Sequence, residues 1–366
     1  MLNLTYSIAD QNLAATKSVG ILNLSIHLLE AIAASKRLDH CVVLTNSTIR
    51  CDVSDKKCRL LFFNQVIKNR LARILWDQSG VYRAAGTTGN NWLFLPKGFA
   101  SFVRKPPCCL AAYVHDTMHQ HYAMRYPGKT SAFEAWYFRN ALKGTIRNAD
   151  VIFTNSEFTR DELRRVAKSW GLSLPRTITA GIGFLPVARI VAAKKDQVVF
   201  LASKWPHKLT SLAIEYASRW QTKTEYGGEV LWIGPMNASC AFPSYGNWRH
   251  HPRLPENQFR QILEESRALA FFSDYEGFGM PPVEAIISLT CPVFSDIAAT
   301  REVMGGAGFA FKNDEYSSFT AAMGKALSCD PPSIDAWKRK LLDTHNWTKV
   351  VNTIVTAVSD PNVCSI

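Results

Sequence analysis

The sequence predicts an α/β protein made of two doubly wound domains, and three observations carry this prediction. The length of 366 residues fits two domains of roughly 150 residues or somewhat more. The composition, 47% hydrophobic and 20% charged, is ordinary for a soluble globular chain and excludes disorder, collagen and a coiled-coil rod. Short apolar runs alternate with longer segments of helical period, which indicates parallel sheets covered by helices on both faces.

The first half of the chain contains five strand candidates and four helix candidates in alternation. Each strand candidate is a short apolar run, and each helix candidate repeats apolar residues at three- and four-residue spacing. The strands are predicted at 41–45, 60–63, 92–95, 110–114 and 151–154, and the helices at 20–35, 65–77, 131–148 and 159–170.

The second half repeats this rhythm after a stretch punctuated by glycine and proline, 181–186, where we place the domain boundary. Ten strands are many for one sheet of this kind, so we expect a first domain at 1–182 and a second domain from 183. Strands are predicted at 198–202, 230–234, 268–272, 292–295 and 309–311, and helices at 209–220, 256–265, 282–289, 298–303, 317–327, 334–342 and 348–358.

The net charge of +12 is confined to the first half, where residues 1–180 contain 24 basic and 12 acidic side chains. On the predicted helix 131–148, Arg139, Lys143 and Arg147 are spaced four apart and form a basic stripe. Nucleic acid is one class of partner for such charge. However, no helix-turn-helix, zinc spacing or RNA-binding strand pattern accompanies it, so we expect no nucleic acid. An anionic membrane surface fits the charge, and a merely solvated face is the alternative.

The nine cysteines are irregularly spaced and form no C-x-x-C pair, so we expect small buried hydrophobes with free thiols. Such thiols are typical of a reducing compartment. The sequence begins without a basic, apolar leader and contains no run of 18 apolar residues. We therefore expect a cytoplasmic protein that can lie on the inner face of the membrane.

Residues 268–284 have the pattern of a ligand-binding turn. A buried strand is predicted to end near Ser273, a glycine-rich turn follows at 276–279, and a helix opens at Pro281–Pro282. Backbone N–H groups at a helix start bind anions, and ligands of doubly wound folds bind at the carboxyl ends of strands. Glu276 and Glu284 flank this turn. A plain turn with solvated glutamates is the alternative.

The segment Tyr275–Ala285 resembles the signature of family 4 glycosyltransferases of the bacterial surface-polysaccharide type. Glu276 and Glu284 fit the E-x7-E motif of retaining enzymes with the GT-B fold. This fold consists of two Rossmann-like domains facing a cleft. The resemblance implies a donor domain at 183–346 and a C-terminal helix within 347–366 that crosses back to the first domain. Further similar segments lie at 149–159, 233–235, 254–259, 291–295, 301–303 and 306–308.

The resemblance implies a site for a nucleotide-sugar donor in the second domain. Glu284 would bind the ribose hydroxyls. The donor sugar and the diphosphate would meet Glu276 and the backbone of Gly277, Phe278, Gly279 and Met280.

A basic turn after the strand 198–202 is similar to the turn that neutralises the diphosphate leaving group in the family. Lys208 matches the lysine of that turn. Ala202 stands where the family has glycine and the arginine is missing, so Lys204 or Ser203 would have to replace it. Solvated surface lysines are the alternative.

In the first domain, His115 and Asp116 follow a predicted strand and resemble the His-Asp pair of the family. With Glu276 they are the predicted catalytic residues, and a satisfied polar histidine is the alternative. Gly20, after residues 16–18, matches only weakly the glycine-rich loop that faces the acceptor and the donor phosphate. An ordinary helix start explains Gly20 equally well.

His119 and His121 lie close to His115 in sequence and resemble a metal cluster at first sight. The family uses no protein-bound metal, and the sequence contains no Asp-x-Asp motif. We therefore expect no metal and no other cofactor.

Together these features imply the retaining, metal-independent transfer of a mannosyl, rhamnosyl or glucosyl residue from a nucleotide sugar. The acceptor would be a glycan or an anionic, lipid-linked molecule in lipopolysaccharide, O-antigen or capsule synthesis. Two alternatives stay open: a sugar-nucleotide 2-epimerase of the same architecture, and a non-catalytic scaffold that binds a nucleotide sugar.

Overall fold

The chain folds into two compact units, each built on one parallel sheet. The structure is a computed structural model that describes residues 2–12, 19–53, 56–186, 193–238, 240, 242–360 and 362–364. Unit 1 comprises Met1–Gly183 and His345–Ile366, and unit 2 comprises Phe184–Thr344. The predicted α/β class with two parallel-sheet domains is confirmed.

Unit 1 contains a seven-stranded parallel sheet whose chain order reverses between its first and fourth strands. The strand order is β3-β2-β1-β4-β5-β6-β7. The chain therefore starts in the middle of the sheet, and the topological switch point lies between β1 and β4. The strands are β1 Leu2–Ser7, β2 Leu38–Thr45, β3 Cys58–Phe62, β4 Trp92–Leu95, β5 Cys109–Val114, β6 Val151–Thr154 and β7 Arg176–Thr179.

Within the described residues, six helices of unit 1 precede the boundary with unit 2. Serine caps start two of them, because Ser131 Oγ accepts the Glu134 N–H at 3.2 Å and Ser156 Oγ accepts the Thr159 N–H at 3.0 Å. The helices are α1 Val19–Ala33, α2 Arg70–Leu75, α3 Val81–Gly86, α4 Met118–Arg125, α5 Ala132–Asn148 and α6 Glu157–Ser169, and a π-helical turn, Trp76–Gly80, joins α2 to α3.

Unit 2 contains a six-stranded parallel sheet of order β10-β9-β8-β11-β12-β13, so its switch point lies between β8 and β11. The strands are β8 Gln197–Leu201, β9 Glu229–Ile233, β10 Trp248–His251, β11 Ala268–Phe271, β12 Cys291–Ser295 and β13 Phe309–Phe311. The helices are α7 Thr210–Thr224, α8 Glu256–Glu265, α9 Met280–Ile287, α10 Ala298–Met304, α11 Tyr316–Leu327 and α12 Pro331–Thr344, and a 3-10 turn, Pro206–Lys208, precedes α7.

The last helix, α13 (Trp347–Val358), belongs to the core of unit 1. Its buried side chains, which include Val351, Ile354 and Val358, share one apolar cluster with the side chains of β1. Gly183 lies so close to the Trp347 ring that a Cβ atom at position 183 would overlap it. The segment by which the chain leaves unit 1 and the segment by which it returns therefore lie next to each other in unit 1.

Three strands, β1, β7 and β10, and two helices, α3 and α4, were not predicted from the sequence. In β1, the polar Thr5 and Ser7 are buried beside Leu4 and Tyr6, so the apolar run that marks a strand is interrupted. The strands β7 and β10 lie at the edges of their sheets and carry polar or basic residues. The helix predicted at 65–77 begins later, as α2 at Arg70, and after Leu75 it gives way to the π-helical turn.

The structure joins Cys109 of β5 to Cys364 in a disulfide that the irregular cysteine spacing did not predict. The expectation that every thiol is free is therefore wrong for this pair. Their Cα atoms lie 6.0 Å apart, within the range a disulfide spans.

Candidate active site

The turn that follows β8 carries the basic residues of the predicted donor site. Lys208 ends the 3-10 turn and forms an ion pair with Glu276, which follows β11. The two residues therefore flank the switch point of the unit 2 sheet, the position where doubly wound folds bind ligands. Lys204 is exposed and forms no ion pair within the described part of the chain.

The backbone around Lys208 is fixed from two sides. The carbonyl of His207 accepts the Asp274 N–H at 2.8 Å and the Ser273 hydroxyl at 3.1 Å, which ties the loop after β11 to the 3-10 turn. Leu209 adopts a left-handed conformation with φ 47°, which costs a non-glycine residue about 1–3 kcal/mol. Such strain persists at sites where a neighbouring side chain must be held in one position.

The alanine in the place of the family's glycine fits the backbone of this structure. The backbone of Ala202 does not adopt the left-handed conformation. Gly234 is the glycine that allows β8 and β9 to approach closely at this point. Gly234 has φ 119°, and a Cβ there would collide with the Ala202 carbonyl oxygen. The substitution at Ala202 therefore leaves the turn intact.

The glycine-rich turn leads into α9 as predicted from the sequence. Gly279 has φ 89°, and a Cβ at this position would lie 2.9 Å from Thr300 Cγ2. Phe278 is buried and lies 6.1 Å from the Phe184 ring. Pro281 and Pro282 carry no N–H, so the donors at this helix start are the backbone groups of the turn and of Met280.

Glu284 lies in the second turn of α9, and its carboxylate accepts no hydrogen bond from a described residue. Burial raises the pKa of Glu284 from 4.5 to about 7, the Glu256 carboxylate raises it further, and Arg260 opposes both. The Glu284 side chain is half-buried, so its carboxyl oxygens are available to hydroxyl donors of a ligand.

In unit 1, His115 lies directly after β5. One of its ring nitrogens forms a hydrogen bond, and the other is buried without a hydrogen-bond partner among the described residues. Its Nε2 atom lies 2.6 Å from the Pro96 carbonyl oxygen, so this nitrogen carries the proton. Burial lowers the pKa of His115 to about 4, and the hydrogen bond to Pro96 opposes this shift. The ring is therefore neutral, and Nδ1 is an acceptor that no described residue contacts with a donor.

The other predicted residues of unit 1 have different roles or surroundings. Asp116 Oδ1 accepts the Met118 N–H at 2.8 Å and so shapes the start of α4. Gly20 lies in the first turn of α1 with open space where a side chain would be, while residues 16–18 before it lie outside the described residues. His119 stacks on Phe138 at 3.8 Å. Within the described ranges, no three His, Cys, Asp or Glu side chains form a group that could hold a metal ion.

A pocket at the switch point of unit 1 was missed by sequence reasoning. Asp10 follows β1, Lys97 follows β4, and the two form an ion pair across the switch point. Further in, Tyr137 donates a hydrogen bond of 3.0 Å to Asp77, and burial raises the pKa of Asp77 to about 7. Aromatic side chains complete the lining: Trp76, Phe99, Tyr137 and Phe138.

The sequence feature that could have indicated this pocket is a charged residue, Asp10, shortly after a strand. It was missed because β1 itself was not predicted. Each unit thus places one lysine–carboxylate pair at the switch point of its sheet. This repetition is visible only in the three-dimensional structure.

Comparison with solved structures identifies the class of fold. Sucrose-phosphate synthase from Thermosynechococcus elongatus has a TM-score of 0.69 at 14% identity, with 98% of each chain covered. The UDP-forming α,α-trehalose-phosphate synthase from Burkholderia vietnamiensis has a TM-score of 0.65 at 11% identity, with 98% of this chain and 100% of that chain covered. The fold is GT-B.

Comparison at the level of sequence finds a family match within the second unit. Residues 245–341 match the family model described as Glycosyl transferases group 1. The resemblance to a glycosyltransferase of the surface-polysaccharide type is confirmed.

Two curated relatives share part of the chain. The O-antigen chain mannosyltransferase RfbU of Salmonella typhimurium is 24% identical over 218 residues, which cover 57% of this chain and 59% of the relative. The O-antigen chain mannosyltransferase B of Escherichia coli is 21% identical over 228 residues, which cover 53% of this chain and 56% of the relative. The chain thus matches somewhat more than half the length of each relative.

Proposed function

We propose that this chain is a glycosyltransferase that moves a mannosyl residue from a nucleotide sugar to a glycan or lipid-linked acceptor of O-antigen type. The family match and the names of the two relatives support the class of reaction and the sugar. The observation that carries the proposal is the Lys208–Glu276 pair at the switch point of unit 2, beside the glycine-rich start of α9.

In this proposal, the donor diphosphate binds beside Lys208 and the backbone N–H groups of the turn before α9. Lys208 exchanges its partner Glu276 for the phosphate oxygens, and Glu276 becomes free to accept sugar hydroxyls. Glu284 accepts the ribose hydroxyls, since its carboxyl group has no partner among the described residues. Lys204, exposed after β8, adds a second positive charge.

We propose retention of configuration by a same-face reaction. The bond between the anomeric carbon and the phosphate oxygen breaks, and its electron pair stays on the diphosphate. The acceptor oxygen attacks the anomeric carbon on the same face and gives its proton to the departing phosphate oxygen. Lys208 stabilises the charge that develops on the leaving group, an effect typically worth about 10²–10³-fold in rate. No metal ion takes part in the proposed step.

His115 serves as a hydrogen-bond acceptor rather than a general acid in this mechanism. Its neutral ring has the proton on Nε2, toward Pro96, so Nδ1 can only accept. A hydroxyl of the transferred sugar or of the acceptor matches that need. Asp116 supports His115 indirectly by holding the start of α4.

The pocket of unit 1 is our candidate for the acceptor sugar. Carboxyl groups such as Asp77 accept sugar hydroxyls, and the aromatic walls pack against the C–H face of a pyranose ring. Lys97, paired with Asp10, is the cation of this lining.

A thermal-shift screen followed by a transfer assay tests the proposal. Nucleoside diphosphates and their mannose, glucose and rhamnose conjugates are compared first, because a ligand of the native state raises its apparent stability. The best donor is then incubated with acceptor, with and without EDTA, and the anomeric configuration of the product is read by NMR. We expect a product with retained configuration and equal rates in both conditions.

A matched pair of variants links the reaction to the site. Lys208→Met should lower kcat by about 10²–10³-fold, whereas Lys325→Met, an exposed lysine of α11, should leave it unchanged. Epimerised donor in the absence of acceptor would instead identify an epimerase. Donor binding without turnover over a broad acceptor panel would identify a scaffold.

A further inference from the structure

Unit 1 exposes a group of large apolar side chains that its core does not use. Five of them lie on α2, on the loop 102–105 and on the first turns of α5, with 49–69% of each side chain exposed. Scattered single apolar residues are normal on a protein surface, but a connected group marks an interaction site. These residues are Leu71, Leu75, Val103, Phe133 and Trp136.

Contacts within this group show that it forms one surface. The Arg70 guanidinium lies 5.1 Å from the centre of the Phe133 ring, which joins α2 to α5. Phe133 and Trp136 are 6.0 Å apart, and Trp136 meets Phe102 edge-on at 5.5 Å. Val103 directly follows Phe102. We call this group and the cations around it the docking surface.

The cations of the docking surface are numerous and mostly without acidic partners. Residues 62–147 contain 12 basic and three acidic side chains, and the acidic Glu134 pairs with Arg70 at 3.5 Å. On α5, Arg139 follows Trp136 by three residues and therefore lies on the same face of the helix. Arg139 and Lys143 of the basic stripe lie over the Trp170 ring, 5.7 Å and 5.2 Å from its centre. Beside the apolar group lie Arg70, Arg104, Lys105 and Arg139.

We infer that the docking surface binds an anionic phospholipid membrane and inserts its apolar side chains at the lipid headgroup level. Membrane-surface binding of this kind combines buried apolar area with attraction between cations and acidic lipids. Tryptophan is enriched at that level because its ring is apolar and its N–H is polar.

A second copy of the chain is a poorer occupant of this surface. A two-fold symmetric contact brings the same patch of each copy together, so the cations would face cations. Within the described part of the chain, no helix is both long and apolar enough to span a bilayer.

The inference deepens the proposed function, since a lipid-linked acceptor would be presented at that membrane. The pocket of unit 1 adjoins the docking surface through Tyr137, whose ring lies 6.3 Å from Phe133 and 6.1 Å from Phe102. Membrane binding and donor binding are nevertheless separate measurements, so either can fail alone.

Vesicle flotation of the full chain tests the inference. We expect binding to phosphatidylcholine vesicles that contain phosphatidylglycerol, little binding to phosphatidylcholine alone, and weaker binding as salt is raised. Each neutralised cation should lower the partition coefficient about fivefold. Arg104→Gln with Lys105→Gln should therefore lower it about 25-fold, and the matched pair Lys325→Gln with Arg339→Gln in unit 2 should not.

The apolar half of the docking surface is tested by Leu71→Ser with Leu75→Ser, against Leu185→Ser as the matched exposed control. The first variant should lose vesicle binding and keep the wild-type Tm and donor-induced thermal shift. Equal binding to neutral and anionic vesicles would overturn the inference. The absence of any vesicle binding would also overturn it. A wild-type dimer in sedimentation that becomes a monomer in the Leu71/Leu75 variant would overturn it as well, because the surface would then bind a second copy of the chain.

Discussion

Glu284→Gln should make the free protein more stable while weakening its binding of nucleotide. The Glu284 side chain is half-buried, its carboxyl group accepts no hydrogen bond from a described residue, and desolvation raises its pKa to about 7. Glutamine keeps the size of the side chain and removes the charge. Removal of this one charge should therefore raise the stability of the free protein and lower its affinity for nucleotide.

The magnitude follows from the two pKa values of Glu284. A difference of one between folded and unfolded pKa corresponds to about 1.4 kcal/mol, so the distance from 4.5 to about 7 corresponds to about 3 kcal/mol. Between these values the folded state holds a proton that the unfolded state has released. Stability therefore falls as pH rises through this window and becomes level above pH 7.

Differential scanning calorimetry from pH 4.5 to pH 8 measures the effect. The variant should match the wild type near pH 4.5 and exceed it at pH 8 by up to about 3 kcal/mol, or about 6–12 °C for a unit of this size. Asp335→Asn, at an exposed carboxylate of α12, is the control for the removal of one negative charge from the surface.

Isothermal titration with a nucleoside diphosphate measures the second effect. A hydrogen bond to a charged group contributes about 1.5–3 kcal/mol, so the variant should bind about 10- to 100-fold more weakly at pH 8. A variant that is less stable than the wild type at pH 8 would refute the account of Glu284 as a half-buried carboxylate that no described residue stabilises. A stabilised variant with unchanged affinity would refute its assignment to the ribose.

Three further predictions concern other parts of the chain. His115→Gln should lower kcat by a factor that stays constant between pH 5 and pH 8, because the wild-type ring is neutral throughout, and a factor that varies with pH would contradict this. Gly279→Ala should lower stability by about 1–3 kcal/mol in thermal melts. Adding Thr300→Ser should recover part of that loss by removing the Cγ2 atom 2.9 Å away, and no recovery would contradict the clash. Cys364→Ser should be less stable than the oxidised wild type by about 2–4 kcal/mol. Reduction of the wild type with dithiothreitol should lower its Tm to that of the variant, and an unchanged Tm would contradict the disulfide.

Sequence patterns predicted the fold wherever one physical signal dominated. Strands such as β5 and β12 are buried on both faces, so their apolar runs stand out from the flanking sequence. In β1, the buried Thr5 hydroxyl accepts a hydrogen bond of 3.1 Å from the side chain of Asn90, and buried polar side chains of this kind hide the strand from a hydropathy pattern. The π-helical turn at Trp76–Gly80 has no such pattern either, and in it Gly80 lies so close to the Trp76 ring that a Cβ atom would be 2.7 Å from Cε3.

The candidate site was predicted in part for the same reason. The turn before α9 carries its own signature, whereas the pairing of Lys208 with Glu276 depends on β8 and β11 lying side by side. The pair of Asp10 and Lys97 likewise needs the strand order of unit 1. Sequence reasoning names residues along a chain more readily than it names their partners across a sheet.

The return of α13 to unit 1 has a consequence for how the chain is made. The apolar cluster beside β1 is incomplete until Val351, Ile354 and Val358 have been synthesised. Unit 2 lies wholly between the two segments of unit 1, so all of its residues leave the ribosome before that cluster can close. During synthesis, the second unit can therefore reach its final structure while the first is still waiting for its last helix.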